Sequence, residues 1–216
     1  MKIAVLGTGM VGNTIGSKLI ELGHSVKMGS RTSNNEKAKD WVSKSGSNAS
    51  AGTFTEAAQF GELIFNCTNG GASLEVLSLA GKENLKGKIL IDLANPLDAS
   101  KGMPPVLIAS LSNTTSLGEE IQKKFPDVKV VKTLNTMNCY LMVDPKKVAG
   151  DHDVFLGGND NDAKDKVKEI LKSFGWNSPI DLGDISSSRG MEMILPIWLR
   201  LWGTFKSPMF NFKIVK

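Results

Sequence analysis

The stretch Ile3-Ala4-Val5-Leu6-Gly7-Thr8-Gly9-Met10-Val11-Gly12 decides how the rest of the chain is read. Four apolar residues in a row, ended by glycine, have the signature of a strand buried on both faces. From Met10 to Leu22 the apolar residues Val11, Ile15, Leu19 and Leu22 recur at helical spacing. The glycines between them fill three separate needs. Gly7 permits the tight turn, Gly9 lets backbone approach a pyrophosphate, and Gly12 lets the helix lie close to the strand. The helix N-terminus then offers free N–H groups and a partial positive charge to an anion. Gly7 to Gly12, with Thr8, Met10 and Val11, are therefore expected to hold a dinucleotide.

Outward from this loop, strand and helix alternate. Strands are predicted at Ser25–Met28, Ala49–Ala51, Leu63–Cys67, Ile89–Leu93 and Val128–Leu134. Helices are predicted at Glu36–Lys44, Thr55–Phe60, Ser73–Leu79 and Leu117–Phe125. Such alternation implies βαβ units and a mainly parallel, doubly wound α/β sheet of Rossmann type. Past Thr136 the pattern loosens. Strands at Asp153–Leu156 and Ile180–Leu182 flank an amphipathic helix at Asp162–Phe174, and a last helix spans Ser187–Phe205, kinked by Pro196. The expected division is a Rossmann domain over 1–137 and a small α/β extension over 138–216.

The end of the second strand selects the dinucleotide. Met28-Gly29-Ser30-Arg31-Thr32-Ser33 carries no acid until Glu36. A carboxylate there would bond the ribose hydroxyls of NAD and repel the 2′-phosphate of NADP. The Ser30 hydroxyl and Arg31 guanidinium would instead bind that phosphate. At about 1.5–3 kcal/mol for a hydrogen bond to a charged group, Arg31 favours NADPH by roughly one to two decades. Lys37 adds a further positive charge or is simply solvated.

Ligands of such sheets lie at the carboxyl ends of the strands. Three tips converge there, each rich in amides and hydroxyls: Asn66-Cys67-Thr68-Asn69, Asp92-Leu93-Ala94-Asn95-Pro96, and Thr133-Leu134-Asn135-Thr136-Met137-Asn138. They can bond a nicotinamide without adding charge. Neither His24 nor His152 falls at a tip, and no proton-transfer pair is visible there, so no catalytic acid or base is assigned. Hydride exchange between two flat rings needs contact and exclusion of water instead. Reduction of a small imine or carbonyl compound, and a non-catalytic NADPH sensor, stay open as alternatives.

The composition narrows the partners. The net charge is +4, but only three of 26 basic residues are arginine, and the lysines are interspersed with acids. No basic block mixes with aromatics, which argues against nucleic acid. Cys67 and Cys139 match no metal spacing. No apolar run reaches the roughly 18 residues that cross a bilayer, and no secretory signal is apparent. A cytoplasmic location without membrane attachment is expected.

With these motifs in place the chain resembles the coenzyme F420-dependent NADP oxidoreductases. The resemblance is carried by Met28-Gly29-Ser30-Arg31, by Asp92 to Pro96, and by Val131-Lys132-Thr133-Leu134-Asn135-Thr136-Met137. It extends to Phe155-Leu156-Gly157-Gly158-Asn159-Asp160, Asp181-Leu182-Gly183-Asp184-Ile185 and Arg189-Gly190-Met191-Glu192. The resemblance implies NADP on Gly7–Gly12, Ser30 and Arg31, with Asn69, Asn95, Pro96, Asn135 and Met137 bordering the nicotinamide. It implies F420 in an interdomain cleft and a homodimer. The hydride-passing domains of ferric reductases, which use a flavin, look similar. The chain departs from the pattern at Cys67-Thr68-Asn69-Gly70-Gly71, which is more polar than an apolar tip. Two apolar stripes on the last helix, Ile194, Trp198, Leu201 and Phe205 with Met191, Leu195, Leu199 and Trp202, imply burial on both sides or a second subunit.

Overall fold

The structure is a computed structural model that describes residues 1–100 and 102–216. Strand β1 (Lys2–Leu6) leads into helix α1 (Met10–Glu21), and the alternation continues through β2 (Ser25–Ser30), α2 (Glu36–Ser45), β3 (Ala49–Thr53), α3 (Phe54–Phe60) and β4 (Leu63–Asn66). Then come α4 (Ser73–Ala80), α5 (Lys82–Leu85), β5 (Ile89–Asp92), the two short strands β6 (Leu97–Asp98) and β7 (Val106–Leu107), α6 (Leu117–Lys124) and β8 (Lys129–Thr133). The chain ends with α7 (Cys139–Val143), β9 (Phe155–Gly158), α8 (Asn161–Ser173), β10 (Ile180–Asp181), α9 (Ser188–Met193) and α10 (Leu195–Phe205).

The main sheet has the order β10-β9-β8-β5-β4-β1-β2-β3. Its strands pair in parallel except at β8–β9, where Val131 faces Gly158 and Thr133 faces Leu156 in antiparallel register. The order reverses between β1 and β4, which opens a crevice at their carboxyl ends. Along β1 the side chains alternate between two cores, as the period of a strand demands. Ile3 and Val5 join Ile15 and Leu19 of α1, while Ala4 and Leu6 join Ala57, Leu77 and Ile121 on the opposite face.

β9 and β10 belong to the same sheet as the glycine loop, and one apolar layer runs from Ile3 through Val131 to Val167 and Trp176. The predicted kinked helix is two helices. Pro196 sits in the first turn of α10, where a missing N–H costs nothing, so the chain breaks at Ile194 and restarts. Helix α10 forms a separate small core: Leu195, Trp198 and Leu199 pack against Leu97 of β6 and against Phe210 and Phe212 of the C-terminal segment. The hairpin β6–β7, in which Leu97 faces Leu107, has no counterpart in the sequence reading.

Candidate functional site

The glycine loop is shaped by space rather than by side chains. Gly7 has φ +121°, and a Cβ there would lie 2.6 Å from the Cys67 carbonyl oxygen. A Cβ on Gly12 would come within 2.0 Å of the Gly7 carbonyl oxygen, so only glycine lets α1 start this close to the turn. A Cβ on Gly9 would meet nothing within 4 Å, which leaves open room above the loop. Gly9 caps α1 without any side-chain hydrogen bond, and no acid occupies the first turn. The free N–H groups are thus available to an anion. Asn13, which no sequence motif singles out, ties the loop from below by donating to the carbonyls of Thr8 and Gly9, both at 3.1 Å.

Two cavities meet at the β4 tip. The first, of about 400 Å³, lies over the loop and is walled by Gly7, Thr8, Gly9, Ser30 and Arg31. The second, of about 390 Å³, lies between Met10 and Val11 on one side and Trp198, Leu199 and Trp202 of α10 on the other. Cys67, Thr68 and Asn69 wall both. Asn95, Asn135 and Met137 line the second cavity. Of the residues expected at the site, Gly12, Lys37 and Pro96 line neither cavity. Gly12 lies beneath the loop, while Lys37 is exposed on α2. The buried Ser30 hydroxyl donates to the Thr32 carbonyl at 2.6 Å and so shapes the turn that presents Arg31. Arg31 is exposed and makes no ion pair among the described residues.

Behind the tips lies a buried ionic cluster that the sequence reading missed, because its members are more than 25 residues apart in the chain. The Lys132 ammonium reaches Asp92 at 2.8 Å and Glu192 at 2.9 Å, and it donates to the Ala94 carbonyl. Burial alone would lower its pKa, but the two carboxylates outweigh that and hold it above the ordinary lysine value. Glu192 also accepts from the backbone N–H groups of Leu117 and Gly118, capping α6 from α9. Asp92 accepts from Asn66, whose own carbonyl oxygen accepts from the Thr68 hydroxyl at 2.7 Å. The cluster therefore links the tips of β4, β5 and β8 to the helix that precedes α10. It is sealed from solvent and does not line either cavity.

Asn95 and Asn135 hold each other. Asn95 donates to the Asn135 backbone carbonyl at 2.8 Å, and Asn135 donates to the Asn95 side-chain oxygen at 2.9 Å and to the Met191 carbonyl at 2.8 Å. Cys67 and Cys139 are free thiols that line the second cavity. Desolvation, with Asp92 adding to it at Cys67, pushes both upward, away from the reactive thiolate. The open space over Gly9, the uncapped helix start and the unpaired Arg31 fit an NADP-type dinucleotide.

Comparisons with known proteins agree with this geometry. The family model for coenzyme F420-dependent NADP oxidoreductases matches residues 2–96. A solved structure from Arthrobacter sp. FB24, a candidate F420-dependent NADP reductase, is 50% identical, superposes with a TM-score of 0.94 and is covered over 100% of both chains. The F420-dependent NADP reductase of Methanocaldococcus jannaschii is 27% identical over 215 residues, covering 96% of this chain and 95% of its own. A metalloreductase of Rattus norvegicus is 29% identical over 91% of this chain, which spans only 38% of that protein's length. Among the described residues no helix is long and apolar enough to cross a membrane. The chain belongs to the coenzyme F420-dependent NADP oxidoreductase family and is an NADP-dependent oxidoreductase.

Proposed function

We propose that the chain exchanges a hydride between NADP(H) on the glycine loop and a ring-shaped acceptor, F420 or a flavin, seated against α10. The observation that carries this reading is the junction of the two cavities at Cys67, Thr68 and Asn69: a phosphate-ready loop opens into a compartment walled by Met10, Trp198 and Trp202. When bound, NADPH supplies a hydride from its nicotinamide ring.

The protein's part is placement. Thr8, Gly9, Met10 and Val11 receive the diphosphate through backbone N–H groups, and Arg31 with the Ser30 turn receives the 2′-phosphate. Lys37 adds long-range positive charge from α2. Asn69, Asn95, Asn135 and Met137 border the nicotinamide, and the aromatic wall of α10 keeps water away. Flat walls and uncharged amides suit two stacked rings, whose reaction requires no proton at the transferring carbon.

In this reading residues 1–137 carry the dinucleotide and residues 138–216 close the acceptor side. Exposed Ile197 and Phe205 on α10, with half-buried Leu201 between them, support a homodimer. The two free cysteines are in keeping with a reducing cytoplasm.

Stopped-flow oxidation of bound NADPH, with F420, FMN, FAD and a quinone offered in turn, tests the reading. Rapid, saturable oxidation by at least one deazaflavin or flavin is expected. Oxidation by none of the ring acceptors, together with turnover of a simple imine or ketone, would overturn it.

A further inference from the structure

Helix α10 walls the second cavity with Trp198, Leu199 and Trp202, yet its buried residues belong to neither of the two main cores that flank the sheet. Trp198 is backed by the C-terminal segment instead. Phe210 stacks on its ring at 5.3 Å and 26° and meets Phe205 edge-on at 5.5 Å, while Phe212 meets Phe210 edge-on at 6.4 Å. Residues 207–216 form neither helix nor strand. A stretch without a hydrogen-bonded ladder of its own must be fastened elsewhere if it is to back a wall.

The fastening is Asp153. Its backbone N–H donates to the Phe212 carbonyl at 2.9 Å, and its backbone carbonyl accepts from the Asn211 side-chain amide at 2.9 Å. Its carboxylate accepts from the Ile214 N–H at 2.6 Å and from the Lys213 ammonium at 3.4 Å. Four consecutive residues are thus tied to one. Asp153 is only 8% exposed, and both side-chain hydrogen bonds it makes among the described residues run to this segment. A shielded carboxylate is costly without partners, so the segment it holds accounts for it. Its neighbours reinforce the tie: Lys213 donates to Asp151 at 2.6 Å, and Asn211 donates to His152 Nδ1 at 2.9 Å.

The antiparallel pair in the main sheet sets this clasp at the edge where the cavities lie. β9 runs opposite to β8, so its first residues lie beside the carboxyl tip of β8, where the Thr133 hydroxyl donates to the Phe155 carbonyl at 2.6 Å. Asp153, two residues before β9, stands at that edge, though it lines neither cavity.

We infer that Asp153 is a positioning residue for the acceptor side: by fastening residues 211–214 it holds Phe210 against Trp198 and so fixes one wall of the second cavity. The inference rests on the second cavity being the acceptor side of the reaction proposed above. Asp153 acts through the C-terminal segment and makes no hydrogen bond to the glycine loop, so its effect divides the two cavities. A loosened clasp frees the Trp198 ring to shift, and leaves Gly7–Gly12 and Arg31 as they are.

Hydrogen exchange read by mass spectrometry, with steady-state kinetics on the full chain, tests this. In Asp153→Ala and in Phe210→Ala, the peptide over residues 195–205 is expected to exchange about tenfold faster than in the parent, while that over residues 3–20 keeps its rate. With F420 or FMN, whichever the parent reduces, KM is expected to rise about tenfold, with kcat within about threefold and the Kd of NADPH within about twofold. Phe210→Tyr, which keeps the stacked ring, should behave as the parent. Should Asp153→Ala not fold, Ile214→Pro takes its place, because it removes from an exposed residue the N–H that the carboxylate receives. Unchanged exchange over residues 195–205 in the folded variants overturns the inference, and so does a loss of NADPH affinity as large as the rise in KM. If the parent reduces neither F420 nor FMN, the proposed function fails, and the exchange pattern alone decides whether Asp153 holds the wall.

Discussion

The two walls of the cleft are built in opposite ways. The wall at Gly7–Gly12 is backbone, contiguous in sequence, and shaped by the absence of side chains: a single methyl on Gly12 would meet the Gly7 carbonyl at 2.0 Å. The wall at Leu195–Trp202 is side chain, arrives from a distant part of the polypeptide, and stands where it does because Glu192 and Met191 just before it are held by Lys132 and Asn135, while Phe210 stacks on Trp198. The first wall suits a ligand whose phosphates are the same in every case. The second can be reshaped by exchanging a few side chains, while the loop stays as it is.

The largest effect should come from the anchor of the second wall. Lys132→Met leaves Asp92 and Glu192 buried without their cation, and removing one partner of a buried ion pair costs about 3–5 kcal/mol. Urea denaturation is expected to show a loss of that order. A loss below about 1 kcal/mol would mean that the cluster does not hold α9 to the strand tips.

Next in size is a contrast within the first wall. Gly12→Ala is expected to lose about 1–3 kcal/mol in stability and to bind NADPH very weakly, since the loop must move. Gly9→Ala, whose new methyl meets nothing, should melt within about 0.5 kcal/mol of the parent yet lose NADPH affinity by about tenfold. Melting curves and calorimetric titration of the two variants separate packing from phosphate approach. Equal losses of stability would merge the two roles.

A smaller change is expected at the mouth of the first wall. Arg31→Ala should weaken NADPH by about ten- to a hundredfold and leave NADH nearly unchanged. Equal weakening of both cofactors would remove the 2′-phosphate assignment.

The smallest effect concerns a pair that joins α9 to α6. Arg189 donates to both Glu119 oxygens, at 2.8 and 2.5 Å, and this, with the Ser116 hydroxyl, holds the Glu119 carboxyl below the ordinary glutamate value. A depressed carboxylate stabilises the folded state above the unfolded pKa, and that contribution is lost as pH falls through the folded pKa. Stability should therefore decline on the acid side, by at most about 1 kcal/mol because the Arg189 side chain is 42% exposed. Glu119→Gln should flatten that part of the pH profile. An unchanged acid limb would show that the pair is solvated and neutral in its effect.

How much of this was legible in advance follows the same division. The parallel sheet, the loop and the three polar tips could be read directly, because apolar runs, glycine spacing and strand ends are local properties of the chain. Thirteen of the sixteen residues expected at the site line one of the two cavities. Pro96 was assigned by its place in a motif, but the backbone turns there and the hairpin residue Leu97 lines the cavity instead. Asn13 was missed because a lone polar residue in a first helical turn has no periodic signature. Trp198 and Trp202 stand in apolar stripes, yet nothing in their spacing says that they line a cavity.

Local covalent geometry and hydrophobic period determined the fold class, the glycine loop and the preference for NADP from the sequence alone. Glycine's missing side chain and an arginine after a strand act within a few residues, so their consequences need no knowledge of the rest of the molecule. Only the tertiary structure decided that Lys132, Asp92 and Glu192 share one buried site, that Asn135 and Trp198 line a common cavity, and that α10 packs on Leu97 and the C-terminal segment. Those juxtapositions depend on which distant segments come together when the core closes, and that is set by packing, to which sequence spacing is blind.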